Sequence, residues 1–224
     1  MRRLYKVILI LFIGFILTII IYYYTIPKNL NYLALGDGIA SGENAYLIDG
    51  NSYNDYFNEE QHKKIKLYND DFSKKNYKLK ELIDDIKKNT QIKGNYIEQI
   101  IHNSNIITIA IGMDELAKFS VTDKLDQDYI KDFLDSYDNL LYLIRKLNDK
   151  EVIILGLYKA NNLKESDIIL INSQLKDIAK KYNSKYIDIS ELLKDKSYFL
   201  KDNSYYFDYN AHYKIYQMIK YSLN

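Results

Sequence analysis

The chain has 224 residues, 47% of them hydrophobic, and a formal net charge of +1. That length suits one globular domain with an appendage, and the balanced charge offers no electrostatic footprint for nucleic acid. With no cysteine, disulfides, thiolate nucleophiles and zinc–thiolate sites are excluded. The 24 tyrosines and single proline read as base composition, so a tyrosine cluster by itself carries little functional weight.

In chain order, the first element is "VILILFIGFILTIIIYYYTIP", Val7–Pro27, which holds no charge. About 20 apolar residues span a bilayer's hydrocarbon core. Arg2, Arg3 and Lys6 precede the run, which predicts a cytoplasmic N-terminus, and Tyr22–Tyr24 stand where an aromatic belt would lie. The run is long for a signal peptide, and no small-residue cleavage site follows it. Residues 1–27 therefore read as a cytoplasmic stub and uncleaved transmembrane anchor. Residues 28–224 read as an extracytoplasmic domain, and the protein as single-pass in the cell membrane.

Beyond the anchor, short β-branched runs alternate with helical patterns. Strands are predicted at "YLAL" (32–35), "KIKLY" (64–68), "NIITIAIG" (105–112), "EVIILGLY" (151–158) and "KYIDI" (185–189). Helical spacing links Leu79, Leu82, Ile83 and Ile86. It also links Ile130 through Leu147, Ile171 through Tyr182, and Tyr213 through Leu223. Buried strands alternating with helices imply a parallel five-stranded sheet in a three-layer α/β/α domain. Sites in such sheets lie beyond the carboxyl ends of the strands. The segments to inspect are Gly36–Glu43, Asn69–Asn76, Gly112–Glu115, Tyr158–Leu163 and the C-terminal loop.

Five blocks in these places carry a resemblance. "YLALGDGIASGEN" (32–44) resembles the Gly-Asp-Ser block of the SGNH/GDSL hydrolases. "LYNDDFSKKNYKLKELIDDI" (67–86) is similar to their second block, and "ITIAIGMDEL" (107–116) to the Gly-x-Asn-Asp block. "NSQLKDIAKKYNSKYIDI" (172–189) matches the penultimate helix and last strand. "FDYNAHYKIYQMI" (207–219) stands where the Asp-x-x-His block and final helix belong. The resemblance implies the flavodoxin-like fold of that family and an ester-hydrolysis site.

The site residues depart from what the resemblance implies. The nucleophilic Ser position is Gly38, the oxyanion Gly position is Asn76, and the oxyanion Asn position is Asp114, followed by Glu115. The His position is Asn210 if the final helix is aligned. If His212 is itself the counterpart, Asp208 lies four residues before it instead of three. Acyl transfer needs a hydroxyl, a base and donors to the oxyanion. An ionised Asp114 donates nothing and opposes negative charge. The expectation is a degenerate hydrolase, with no residue left in a catalytic role. It keeps a binding cleft around Asp37, Gly38, Asn76, Gly112, Asp114, Glu115, Asp208 and His212, for a cell-wall glycan or acylated carbohydrate.

Other readings stay open. Ser41 and His212 are fallback catalytic candidates in an active esterase with a rearranged site. Ser41 equally reads as a local cap, and His212 as a helix N-terminal histidine without chemistry. A partner-binding ectodomain with a vestigial cleft is the third reading. Asp37, Asp114, Glu115 and Asp208 could converge on a hard cation such as Ca²⁺ or do glycosidase-type work. Their spacing matches no metal loop, so no metal and no cofactor is expected. Asp37 alone fits a structural role in the turn after the first strand. His62 and His102 read as surface residues.

Overall fold

A computed structural model describes residues 12–18, 29–43, 50–118, 125–159, 163–199 and 206–223. Residues 12–18 of the apolar N-terminal run are helical with exposed side chains. The rest of that predicted anchor lies outside the described residues. Among the described residues no helix is long and apolar enough to cross a membrane.

Five strands form one parallel sheet: β1 (Leu30–Gly36), β2 (Ile65–Ser73), β3 (Ile106–Ala110), β4 (Glu151–Leu155) and β5 (Lys185–Ile187). Their order is β2-β1-β3-β4-β5, the doubly wound arrangement whose chain reverses direction between β1 and β3. β1 is covered on both faces, and its Tyr32, Leu33, Ala34 and Leu35 are all buried, as a continuous apolar run requires. Tyr32 is accommodated because its hydroxyl lies 2.5 Å from Asn54 Oδ1 and 2.7 Å from Thr108 Oγ1. A tyrosine buried this deeply needs such partners.

Right-handed crossovers then decide which face each helix covers. The helices are α1 (Gly38–Ser41), α2 (Tyr53–Glu60), α3 (Leu79–Lys88), α4 (Ile97–Asn103), α5 (Met113–Leu116), α6 (Gln127–Leu147), α7 (Glu165–Lys181) and α8 (Tyr209–Ser222). α2 packs with α8 on one face; α6 packs with α3, α4 and α7 on the other. α6 buries Ile130, Phe133, Leu134, Tyr137, Leu140, Leu141 and Ile144 along one stripe. Asp126 caps its first turn by accepting from Tyr129 N at 2.6 Å.

The five predicted strands are all present, with corrected ends. β2 runs to Ser73, so Asn69–Ser73 belong to the sheet and only Lys74–Asn76 reach its rim. The third and fourth runs stop at Ala110 and Leu155, which releases Gly112 and Tyr158 into turns. Gly112 has φ +113°, and a Cβ there would stand 2.6 Å from Phe133 Cζ; both facts require glycine. Four helices, α2 and α4 and the single turns α1 and α5, and a two-stranded ribbon (Gln91–Ile92 with Asn95–Tyr96) add to the elements expected from the sequence. α2 carries five polar residues among eight, and its start is set by a capping box between Ser52 and Asp55.

Candidate functional site

The turns after β1, β2 and β3 meet at the carboxyl rim of the sheet. Asp37 joins them. Its Oδ1 accepts from Ile39 N at 3.2 Å, and its Oδ2 accepts from Gly112 N at 2.9 Å and Asp114 N at 3.1 Å. The side chain thus caps α1 and ties the β1 turn to the β3 turn. Burial, and then the charge of nearby Asp114, push the Asp37 carboxyl well above its ordinary range. Its three backbone donors pull the other way. Asp37 is thus a fully buried staple between the two turns.

Asp114 occupies the place where the resemblance puts an oxyanion. Its Oδ2 accepts from Gly38 N at 3.0 Å and Asn76 N at 2.6 Å. Those two N–H groups stand at the nucleophile and oxyanion-glycine positions. Asn76 holds φ +58°, the left-handed backbone that glycine would adopt at no cost and asparagine tolerates. Both N–H groups of the turn are thus satisfied by a side chain of the protein itself. Burial raises the Asp114 carboxyl, against the N–H groups of Asn76 and Gly38 that favour its charge. Its second oxygen, Oδ1, is buried with no hydrogen-bond partner among the described residues.

No room remains above Gly38. A Cβ added there would lie 3.0 Å from Asp114 Oδ2 and 3.0 Å from Tyr206 Cε1. Tyr206 is held over the turn by donating to Glu43 Oε2 at 3.2 Å. Glu43, itself buried, also pairs with Lys75. Ser41 Oγ donates to the Gly38 carbonyl at 3.1 Å, so the nearest hydroxyl is spent on its own helix.

In the C-terminal block the two candidates lie differently. Asp208 caps α8, its Oδ1 accepting from Ala211 N at 2.9 Å and its Oδ2 from Asn210 Nδ2 at 2.9 Å. Asn210 is exposed and folds back on that cap. His212 is the residue that points inward: it is 3% exposed, and neither ring nitrogen has a hydrogen-bond partner among the described residues. Its ring neighbours are Tyr53, at 6.3 Å between centroids, and Phe207, at 5.4 Å. Burial lowers its pKa to about 4, against the raising effect of Asp208 and Asp55. Among the described residues no carboxylate holds the ring as the acid of a hydrolytic triad would. His212 lines a cleft of 360 Å³ together with Gly42, Gly50, Asn51, Tyr56, Phe207 and Tyr209.

The residues singled out from sequence thus divide. Asp37, Gly38, Asn76, Gly112 and Asp114 form one hydrogen-bonded knot. His212 stands at the separate cleft, with Asp208 capping the helix that carries it. Glu115 turns away: its Oε2 accepts from Leu79 N at 3.1 Å and its Oε1 from the Tyr129 hydroxyl at 3.3 Å, which caps α3. The four carboxylates serve separate tasks, and no cation-holding group of three His, Cys, Asp or Glu side chains exists among the described residues. Glu43, Lys75 and Tyr206 fall in segments the sequence marks for inspection, but it assigns none of them this contact. The spacing of a loop glutamate, a lysine and a tyrosine more than 160 residues on carries no periodic signal.

No protein-family model matches the chain, and no curated protein sequence does. Solved structures do. The chain is similar to the acetylxylan esterase Axe2 from Geobacillus stearothermophilus, with a TM-score of 0.66 at 15% identity over 89% of this chain and 96% of that one. It is also similar to the psychrotrophic esterase EstA from Pseudoalteromonas sp., with a TM-score of 0.62 at 13% identity over 87% and 97%. A third likeness is to BT4096, a gut microbial diltiazem-metabolizing enzyme, with a TM-score of 0.61 at 12% identity over 88% of this chain and 47% of that one. With the five-stranded order and the rim turns already described, these likenesses show that the chain has the fold of the SGNH/GDSL-like esterases.

Proposed function

We propose that this is a membrane-anchored domain of the cell envelope that keeps the esterase fold, has lost ester hydrolysis, and acts by binding a glycan or an acylated carbohydrate. The observation that carries the reading is the Asp114 carboxylate seated on the N–H groups of Gly38 and Asn76. A substrate carbonyl would have to displace it, and the negative oxygen formed by attack would face a like charge. Gly38 supplies no nucleophile, and His212 makes no hydrogen bond to a hydroxyl or a carboxylate among the described residues. Three parts of the machinery fail independently.

The carbohydrate assignment draws on the acetylxylan esterase named above and on the aromatic lining of the His212 cleft. The anchor rests on the uncharged Val7–Pro27 run and its basic flank; external protease should digest residues 28–224 on intact protoplasts, and full protection would refute that orientation. The test of the chemistry is turnover of p-nitrophenyl acetate and of acetylated xylo-oligosaccharide by the detergent-solubilised full chain. The expected rate equals the buffer blank. A clear excess that Ser41→Ala or His212→Ala abolishes would overturn the reading in favour of a relocated esterase site.

A further inference from the structure

In a doubly wound parallel sheet every strand starts, and every crossover helix ends, at the side opposite the carboxyl rim. The chain enters this amino end from the apolar run. Leu30, the first residue of β1, lies three residues past Pro27, and its N–H donates to the Lys64 carbonyl at 2.7 Å. Arg145 ties the neighbouring turns together, its guanidinium donating to the carbonyls of Lys150, Tyr182 and Asn183 at 2.7 Å each. Lys185 Nζ donates to the Ser222 carbonyl at 2.8 Å, which brings the end of α8 to the same side.

Lysines crowd this end. Lys63 and Lys64 precede β2, Lys66 is its second residue, and Lys146 and Lys180 stand in the last turns of α6 and α7. All five are exposed, and none forms an ion pair among the described residues. Lys150, Lys181 and Lys185 add to them, paired with Asp149, Asp138 and Glu151. Against the free lysines stand Glu59 and Glu60, at the end of α2. Composition does not produce this excess. Of the 31 Lys+Arg only Arg2, Arg3 and Lys6 lie before residue 28, so the remainder of the chain holds 28 against 30 Asp+Glu. Folding has sorted the charge to one end. Helix dipoles account for the lysines in the last turns of α6 and α7, but Lys63, Lys64 and Lys66 stand outside any helix.

The tether decides what this charge meets. Only Lys28 and Asn29 separate Pro27 from β1, and extended chain covers at most about 3.5 Å per residue, so the reach is roughly 10 Å. Salt screens charge over about 8 Å at physiological strength. With the apolar run in a bilayer, the lysines beside Leu30 are held about one screening length from the headgroups, where a basic cluster is drawn to anionic lipid.

We infer that the amino end of the sheet is a docking surface for anionic phospholipid headgroups, formed by Lys63, Lys64, Lys66, Lys146 and Lys180. The domain then stands upright, with the Asp114 turn on the far side. The seven residues of β1, at about 3.3 Å each, hold that turn roughly 20–25 Å above the surface. The inference rests on the membrane anchor of the reading above and is independent of its lost hydrolysis and its carbohydrate ligand.

The chain has no cysteine, so one introduced thiol can carry a fluorescent label. His62→Cys places it at the amino end and Lys78→Cys at the rim, both exposed positions. The labelled full chain is reconstituted in nanodiscs of phosphatidylcholine, alone or mixed with phosphatidylglycerol, and probed with the uncharged quencher acrylamide. At low salt, phosphatidylglycerol should lower quenching of the His62→Cys label at least twofold. The shielding should vanish at about 1 M NaCl and in the combined variant Lys63→Gln, Lys64→Gln, Lys66→Gln. Quenching of the Lys78→Cys label should stay unchanged throughout. Co-elution of the chain with the discs at high salt reads the anchor separately.

Equal quenching of the His62→Cys label in both kinds of disc, or shielding of the Lys78→Cys label instead, would overturn the docking surface while the anchor stands. Shielding by soluble polyphosphate but not by phosphatidylglycerol would assign the lysines to a soluble polyanion and overturn the lipid. Loss of the chain from the discs at high salt would remove the anchor, and the inference with it.

Discussion

The rim of the sheet holds two neighbouring regions built on opposite terms. At the Asp37–Asp114 knot, two carboxylates take up five backbone N–H groups from three turns. At the His212 cleft, a buried imidazole has no hydrogen-bond partner among the described residues. Backbone donors hold the first region together, with one buried oxygen of Asp114 left over, whereas the second offers its imidazole no donor or acceptor among the described residues. In an esterase of this fold the two would be halves of one machine. Here the Gly38 and Asn76 donors are taken by Asp114, and His212 stands apart from them with no carboxylate bonded to it among the described residues.

The comparison breaks most sharply at Asp37. Asp37→Ala would orphan the N–H groups of Ile39, Gly112 and Asp114, each at about 1–3 kcal/mol. A loss on the order of 3–5 kcal/mol is expected, read as a drop in the urea midpoint at unchanged slope. A shift under about 1 kcal/mol would mean that the knot is not the staple described.

His212 gives the next largest effect, and only in acid. Its folded pKa, about 4, lies below the unfolded value near 6.5, so the unfolded chain takes up the proton first. Stability is fully present above pH 6.5 and declines as the pH falls toward 4, by roughly 2–3 kcal/mol. His212→Phe should flatten that part of the stability–pH curve. An unchanged slope between pH 6.5 and 4 in the variant would show that other groups set it.

Gly38→Ser sharpens the same contrast from the other side. The new Cβ meets Asp114 and Tyr206 at 3.0 Å, which should cost about 1–2 kcal/mol and still yield no ester turnover. Measurable turnover by this single variant would contradict the claim that the donors are occupied.

The smallest change belongs to Asp114→Asn. Burial raises the folded pKa of Asp114, so its ionised form burdens the fold at neutral pH, and the burden disappears below the unfolded carboxylate value. The amide oxygen can still accept from Gly38 and Asn76. The variant should gain on the order of 1 kcal/mol at pH 7.5 and nothing at pH 3.5, seen as a Tm difference that closes with acidification.

Much of the fold was legible because each long element carries its own period. β1, β3 and β4 are β-branched runs, and α6 repeats apolar residues over five turns. α2 escaped because its helical signal is a capping box in a polar segment, and β2 looked short because four of its last five residues, Asn69–Ser73, are polar. The positions of the site were legible through the Gly-Asp-Gly and Gly-Met-Asp turns. What they do was legible only in part. An aspartate at position 114 predicts repulsion of an oxyanion, but that it would reach back and sit on the two donors depends on the φ of Asn76 and on an empty Gly38. Which of Asn210 and His212 faces inward one turn after the Asp208 cap is a matter of helix phase that the sequence leaves two residues wide.

β2 ends the sheet on one side, where nine residues of backbone would offer themselves to any passing strand. Its outward segment carries Asp70 and Asp71, and Asp71 is bound by Lys93 and by Asn95 of the short ribbon. The other margin, β5, is only three residues long. Charge on one border and brevity on the other deny a neighbouring copy a template for sheet extension. Domains crowded side by side on a surface can thus collide edge to edge and separate again without aggregating.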